Sequence, residues 1–172
     1  MKILVFSDSH NRITYLKKAI DVHKSLGGID CIFHLGDGHK DLELLTKDIP
    51  VLYVDGNYEE YAAGYHAKKD LVREAVIDLS GFKFFLIHGH TYNVKSSLDH
   101  AVSSAKRKGA DVLLYGHTHL RDNTYLPPDG EGVKGLYVFN PGSISRPRDY
   151  SYSYGVIETQ GSNILLSHGT VM

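Results

Sequence analysis

Short apolar runs recur along the chain, each closed by a polar or glycine-containing cluster. Lys2–Phe6 leads into Ser7-Asp8-Ser9-His10, residues 31–35 into Gly36-Asp37-Gly38, and residues 51–54 into Asp55-Gly56-Asn57. Phe82–Ile87 leads into His88-Gly89-His90, and Val112–Tyr115 into Gly116-His117-Thr118-His119. Runs of this length, bounded by glycine, predict buried strands. Between them the spacing changes. Ile13, Leu16, Ile20 and His23 recur near every 3.6 residues and stop at Gly27-Gly28, which predicts a helix. Leu98, Ala101, Val102 and Ala105 repeat that spacing and stop at Gly109, after Lys106-Arg107-Lys108. Basic residues there suit a helix C-terminus and not a nucleic-acid patch. A shorter helix is predicted over residues 40–47, ahead of Pro50. Strands alternating with helices imply βαβ units and a mostly parallel sheet.

The last third changes character. Residues 123–126, 136–139, 154–158 and 164–167 are short runs separated by turn residues such as Pro127-Pro128-Asp129-Gly130 and Gln160-Gly161-Ser162. Glu74–Leu79, Ser80-Gly81 and Phe82–Ile87 read as a further hairpin. The expected architecture is an α/β fold: one mixed sheet against a second, more antiparallel one, with helices outside. With 172 residues, no repeat and no low-complexity linker, residues 1–172 are expected to form a single domain. Tyr150, Tyr152 and Tyr154 alternate as a half-exposed strand would, and His34 and Cys31 read as interior residues.

Composition narrows the function. With 42% hydrophobic and 23% charged residues, the chain is not a disordered one. Lys and Arg number 19 against 20 Asp and Glu, so no basic excess exists to hold a phosphate polymer, which argues against a nucleic-acid partner. The one cysteine excludes an internal disulfide and fits a reducing compartment. No apolar run approaches the ~20 residues of a membrane span, and the opening run is too short for a signal-peptide core. A cytoplasmic enzyme is expected, with no membrane partner.

In open α/β sheets, ligands bind beyond the carboxyl ends of the strands. The polar clusters there contain Asp8, His10, Asp37, Asn57, His88, His90, His117 and His119. Oxygen and imidazole donors of this kind coordinate divalent metals. Asp8/His10, His88/His90 and His117/His119 are spaced i, i+2, which puts both members of a pair on one side of an extended segment. So many donors exceed one tetrahedral site and suit two ions about 3.5–4 Å apart, with a carboxylate bridging them. Two such ions outweigh the charge of Asp8, Asp37 and a hydroxide, so the site stays positive and attracts an anion. Metal binding needs neutral imidazoles, so activity is expected to fall in mild acid.

Asp8-Ser9-His10, Gly36-Asp37, Gly56-Asn57, His88-Gly89-His90 and Gly116-His117-Thr118-His119, in that order, resemble the motif series of the calcineurin-like metallophosphoesterase superfamily. The small size and the Asn140-Pro141-Gly142-Ser143 segment are similar to its YfcE-type prokaryotic phosphodiesterases. The resemblance implies two mixed β-sheets packed face to face, flanked by helices on both outer sides as a four-layer sandwich. It implies one metal held by Asp8, His10, Asp37 and His119, and another by Asp37, Asn57, His88 and His117. Asp37 bridges them with a hydroxide, and Asp37, Asn57 and His88 form the catalytic set. Two divalent ions per chain are implied, Mn2+ foremost, with Ni2+, Fe2+ or Zn2+ as alternatives. The implied reaction is in-line attack of the bridging hydroxide on a small phosphodiester. A phosphomonoesterase or nucleotide phosphatase with the same site is a rival reading. So is a non-catalytic protein-binding scaffold on the same fold, which predicts eroded ligands where this chain keeps all of them.

The departures from the pattern are informative. Many phosphatases of the superfamily carry His after the motif Asn as proton donor, whereas this chain has Tyr58. A phenol with a pKa of about 10 is a poor match at neutral pH, which favours leaving groups that need little protonation. YfcE-type members lack that His as well. Gly38-His39-Lys40-Asp41 lacks the arginine segment of Ser/Thr protein phosphatases, and Asp55 stands where another residue is expected before Gly56. Arg12, His39, Tyr58 and His90 are the expected substrate contacts, His39 being either a proton donor beside Asp37 or a solvated loop residue. Arg146 and Arg148 read as surface residues. A homo-oligomer, dimer or tetramer, is compatible with the tyrosine-rich surface.

Overall fold

The computed structural model describes residues 1–43, 45–67 and 70–172. The first sheet runs β10-β9-β1-β2-β3. Its parallel half is β1 (Lys2–Phe6), β2 (Cys31–His34) and β3 (Val51–Tyr53), and the hairpin β9 (Ser153–Gln160) and β10 (Asn163–Thr170) adds on antiparallel beside β1. The second sheet runs β4-β5-β6-β8-β7. There β5 (Phe82–Ile87), β6 (Val112–Tyr115) and β8 (Leu136–Pro141) are parallel, with β4 (Glu74–Leu79) and β7 (Arg121–Leu126) as antiparallel edges. The helices are α1 (Ile13–Ser25), α2 (Asn57–Ala67) and α3 (Asp99–Arg107).

The apolar runs lack alternation because the central strands are buried on both faces. Along β1, Ile3 and Val5 face the second sheet, joining Phe33, Phe84, Leu114 and Phe139 in the core between the sheets. Leu4 and Phe6 point the other way, onto Leu16, Ala19 and Ile20 of α1. Along β5 and β6, Phe85, Ile87 and Leu113 pack on Ala101 and Ala105 of α3. The result is four layers, helix–sheet–sheet–helix. The Phe33 and Phe84 rings meet edge-to-face across the middle, with centroids 5.5 Å apart. Among the described residues no helix is long and apolar enough to cross a membrane.

Three local expectations change. The helix predicted over residues 40–47 is instead a 3-10 turn, His39–Leu42, followed by further turns, and Leu44 lies outside the described residues. Gly38 enters that turn at φ 126, and Asp41 is drawn inward to accept from Ser9 Oγ at 2.7 Å and Asn11 N at 2.8 Å. A regular helix does not satisfy both restraints. Helix α2 has no counterpart among the predicted elements, because NYEEYAAGYHA carries no apolar stripe, and Tyr58 and Tyr61 are exposed. Of the three alternating tyrosines only Tyr154 lies in a strand. Tyr150 is fully exposed in a left-handed turn (φ 64), and Tyr152 stacks on Tyr15 at 4.4 Å.

Phe33→Ala removes a fully buried ring from between the sheets and is expected to destabilise the fold by about 3–5 kcal/mol. Guanidinium unfolding at unchanged m-value checks this. A loss below about 1 kcal/mol would mean that the two sheets are not packed through this residue.

Candidate metal centre

The polar clusters after β1, β2, β3, β5 and β6 converge at one end of the sandwich. Two glycines let the loops after β2 and β3 touch. A Cβ on Gly36 (φ +92) would sit 2.6 Å from Gly56 N, and a Cβ on Gly56 would sit 2.1 Å from Asp37 Oδ1. Asp8, His10, Asp37, His117 and His119 all have positive φ, between 45 and 67°. Such backbone costs about 1–3 kcal/mol per residue and persists where the surroundings enforce it. Here they do. Ser143 and Ser145 hydroxyls donate to the Asp8 carbonyl at 3.0 and 2.7 Å. Asn140 Nδ2 donates to the Gly116 carbonyl at 3.1 Å and Thr118 Oγ1 at 3.0 Å, so the Asn-Pro-Gly-Ser segment fixes two of the loops.

Sequence reasoning missed Glu59. Its carboxylate accepts N–H bonds from Asp37 (2.9 Å), Gly38 (2.7 Å) and Gly56 (2.8 Å), tying the β2 and β3 loops to the first turn of α2. Burial raises its pKa, but these three donors outweigh it and hold the carboxyl below its ordinary value. The available signal was a glutamate three residues after Gly56, as in a capping box. With no apolar stripe to announce α2, that signal had no helix to attach to.

Asp37 has a different partner on each oxygen. Oδ1 accepts from Tyr58 N at 2.8 Å and lies 3.6 Å from His88 Nε2. Oδ2 faces His10 Nε2 at 3.8 Å. On the Oδ2 side, Asp8 Oδ1 is 4.0 Å from His10 Nε2 and 3.0 Å from His119 Nε2. On the Oδ1 side, His88 Nε2 is 3.1 Å from Asn57 Oδ1 and 3.2 Å from His117 Nδ1.

The donor chemistry fits metal ions. Asp8 Oδ1 and His10 Nε2 are buried and have no hydrogen-bond partner, His119 Nε2 lying near Asp8 Oδ1 but off the hydrogen-bond direction. The other ring nitrogens of two histidines are already engaged. His88 Nδ1 is 2.6 Å from the Leu35 carbonyl, and His119 Nδ1 is 2.7 Å from the Arg146 carbonyl. A carbonyl only accepts, so each Nδ1 carries a proton, and in the neutral imidazole each Nε2 presents a lone pair. Metal-ligating histidines are oriented in this way. The Nε2 lone pair of His88 is thus aimed at oxygen acceptors, an arrangement that a cation between them satisfies. Asp8, His10 and His119 form one cluster of donor atoms within 4.8 Å of one another, and Asp8, Asp37 and His88 another.

Charge states sort the imidazoles. Burial, and then His88, pushes His117 down to about 3. Burial also lowers His10 and His90. Burial works against a charge on His119 as well, but Asp8 beside it prevails and raises that imidazole above its ordinary value. His34 is fully buried and pushed down to about 3, chiefly by burial. It bridges Ser9 Oγ (3.2 Å) and Gly36 N (3.2 Å), the interior role the sequence suggested.

The expected substrate contacts are scattered. His90 borders the centre, its ring 5.4 Å from that of His88, with Nε2 held by Glu60 Oε2 at 3.1 Å. Tyr58 lies edge-on to His10 with its hydroxyl 3.4 Å from Asn11 Nδ2. Arg12 is exposed, and among the described residues its side chain makes no hydrogen bond or ion pair. His39 is neither solvated nor paired with the Asp37 carboxylate. It is 8% exposed, stacks on Tyr53 at 4.0 Å, and turns Nδ1 toward Asp55 and Glu59.

Residues 1–162 match the family model described as the calcineurin-like phosphoesterase superfamily domain. The chain belongs to that superfamily. A probable metallophosphoesterase of Mycoplasma pneumoniae is 33% identical over 153 residues, covering 86% of this chain and 82% of that protein. A protein of Methanocaldococcus jannaschii named phosphodiesterase is 29% identical over 171 residues, covering 93% and 94%. The crystal structure of Chaetomium thermophilum Vps29 superimposes with a TM-score of 0.69 at 19% identity, covering 99% and 96% of the two chains, a likeness of fold alone. The sandwich of two mixed sheets is thus the fold of calcineurin-like phosphoesterases, and its strand-end loops carry the metal-type donors.

The raised pKa of His119 gives a sign to the pH dependence of metal loading. Below that pKa the metal-free imidazole holds a proton that an incoming ion must displace, whereas His117 is already neutral down to about 3. Mn2+ binding at about pH 6 is therefore expected to release a proton, and the release to fade as pH rises through the His119 pKa. Calorimetry in buffers of different ionisation enthalpy measures it. Proton-neutral binding at about pH 6 would contradict the assignment.

Proposed function

We propose that the chain is a dinuclear metal-dependent phosphodiesterase acting on small phosphodiesters in the cytoplasm. The observation that carries this reading is the Asp37 carboxylate, whose two oxygens face two separate donor sets. Asp8, His10, Asp37 and His119 would hold one ion, and Asp37, Asn57, His88 and His117 the other. Two divalent ions bound there, Mn2+ foremost, would supply Lewis acidity and a hydroxide nucleophile at neutral pH for in-line attack on phosphorus.

The chain's own residues orient the reacting groups. The N-terminus of α2 donates Tyr58 N–H to Asp37 Oδ1, which aims that carboxylate between the donor sets. His90, fixed by Glu60, faces the His88 and His117 rings and would touch a phosphate oxygen of a bound substrate. The positive charge of Lys95 helps to lower His117, after burial and His88. Tyr58 is 45% exposed and bonded to Asn11, so the position after Asn57 offers no imidazole to a leaving group. That favours diesters with stable leaving groups over monoesters. The name of the M. jannaschii relative points the same way.

Hydrolysis of bis(p-nitrophenyl) phosphate is expected to exceed that of p-nitrophenyl phosphate, to vanish after chelation and to return with Mn2+. Asp37→Asn, nearly isosteric, is expected to lower it by at least about 100-fold while the protein stays folded. Undiminished hydrolysis after chelation would overturn the metal mechanism. Faster monoester hydrolysis would replace the diesterase by a phosphomonoesterase, and folded, metal-loaded but inert protein would leave the scaffold reading.

A further inference from the structure

A second buried donor cluster lies beside the first, and nothing in the phosphodiesterase reading uses it. His39, Asp55 and Glu59 each bring a donor atom within 4.8 Å of the other two. Both carboxylates are held by backbone. Asp55 Oδ2 accepts from Val72 N at 2.7 Å, Glu59 Oε2 accepts from Asp37 and Gly56, and Glu59 Oε1 accepts one bond, from Gly38 N at 2.7 Å, which leaves it a further lone pair. Asp55 Oδ1 and Glu59 Oε1 both face one nitrogen: His39 Nδ1 lies 3.5 Å from Asp55 Oδ1 and 3.7 Å from Glu59 Oε1. That nitrogen is buried and has no hydrogen-bond partner, in a side chain only 8% exposed.

Direct hydrogen bonding does not account for the arrangement, since N–H···O bonds fall at about 2.7–3.2 Å. A shared ion does. Bonds of about 2.0–2.2 Å in a tetrahedral site place donors about 3.3–3.6 Å apart, close to the separations seen. The imidazole is already oriented, because its ring lies flat on Tyr53 with an interplanar angle of 4°. The cluster borders a cavity of about 370 Å³, lined in part by Asn11, Lys40, Tyr58 and Asp70, which gives a route in and room for water as the last ligand.

We propose that His39, Asp55 and Glu59 form a third metal site, separate from the Asp37 pair, for one divalent ion of the Zn2+ class. One imidazole and two carboxylates match that ion in donor type and balance its charge. The site is structural. Its ion pulls on Glu59, which holds the N–H groups of Asp37, Gly38 and Gly56, so occupancy stiffens the loops that carry the proposed bridging carboxylate. It also gives a reason for Asp55 directly before Gly56.

The test counts Zn2+ on the full chain, stripped and then dialysed against Zn2+ alone. Wild type is expected to hold about three ions per chain, and His39→Phe and Asp55→Asn about two each. Phenylalanine keeps the stack on Tyr53 and removes the ligand, and asparagine keeps an acceptor for Val72. Anomalous scattering at the zinc edge from wild-type crystals is expected to show a peak within about 2.3 Å of His39 Nδ1. That map decides the matter even where a variant does not fold. Failure of the dinuclear reading would lower all three counts together and leave the difference of one ion. Equal counts in wild type and both variants, or a map with no peak beside His39, would overturn the third site.

Discussion

Asp37 occupies the space that a side chain on residue 56 would fill, and Gly36 lies against the backbone of that same residue. The two strand-end loops touch because neither glycine carries a Cβ, and the contact delivers Asp37 and Asn57 to one place. Much else depends on that close approach. Crowding the loops turns their N–H groups inward, where Glu59 takes three of them. It also sets Asp37 against the N-terminus of α2, so a backbone N–H fixes one oxygen while both oxygens keep a free side toward histidines.

This end of the sandwich concentrates features that oppose folding. Asp8 and His88 are fully buried, five donor residues sit in left-handed backbone, and buried side-chain atoms of Asp8, His10, His39 and His90 lack hydrogen-bond partners. Such groups are tolerated where the rest of the molecule is well ordered. The layers beneath supply that order, with β1, β2, β5 and β6 buried on both faces between α1 and α3. Rigid strands also explain how donors from five loops are held at mutual distances of 3.0–4.0 Å.

The strands and their polar ends were legible in the sequence because burial on both faces leaves uninterrupted apolar runs, and each run ends where chemistry begins. α1 and α3 were legible because each lays an apolar stripe on a sheet. α2 was not, since its inward task is polar: Glu59 gathers backbone donors and Glu60 holds His90. The turn at His39–Leu42 read as a helix because periodicity does not register Gly38 at φ 126 or the pull of Asp41 toward Ser9. The metal-type donors could be named from spacing alone. Their division between the two oxygens of Asp37 was implied only by the family resemblance and not by spacing, because it depends on loops that meet only in space. Spacing does not place His39 either, which lies close to Asp37 in sequence yet turns to Asp55 and Glu59.

The central claim is that Asp37 bridges two ions. Electron paramagnetic resonance of the Mn2+-loaded protein tests it most directly, because ions about 3.5–4 Å apart and sharing a carboxylate are magnetically coupled. The account predicts the spectrum of a coupled Mn2+ pair, lost in Asp37→Asn. A fully loaded wild type showing only the six-line pattern of isolated Mn2+ would contradict it.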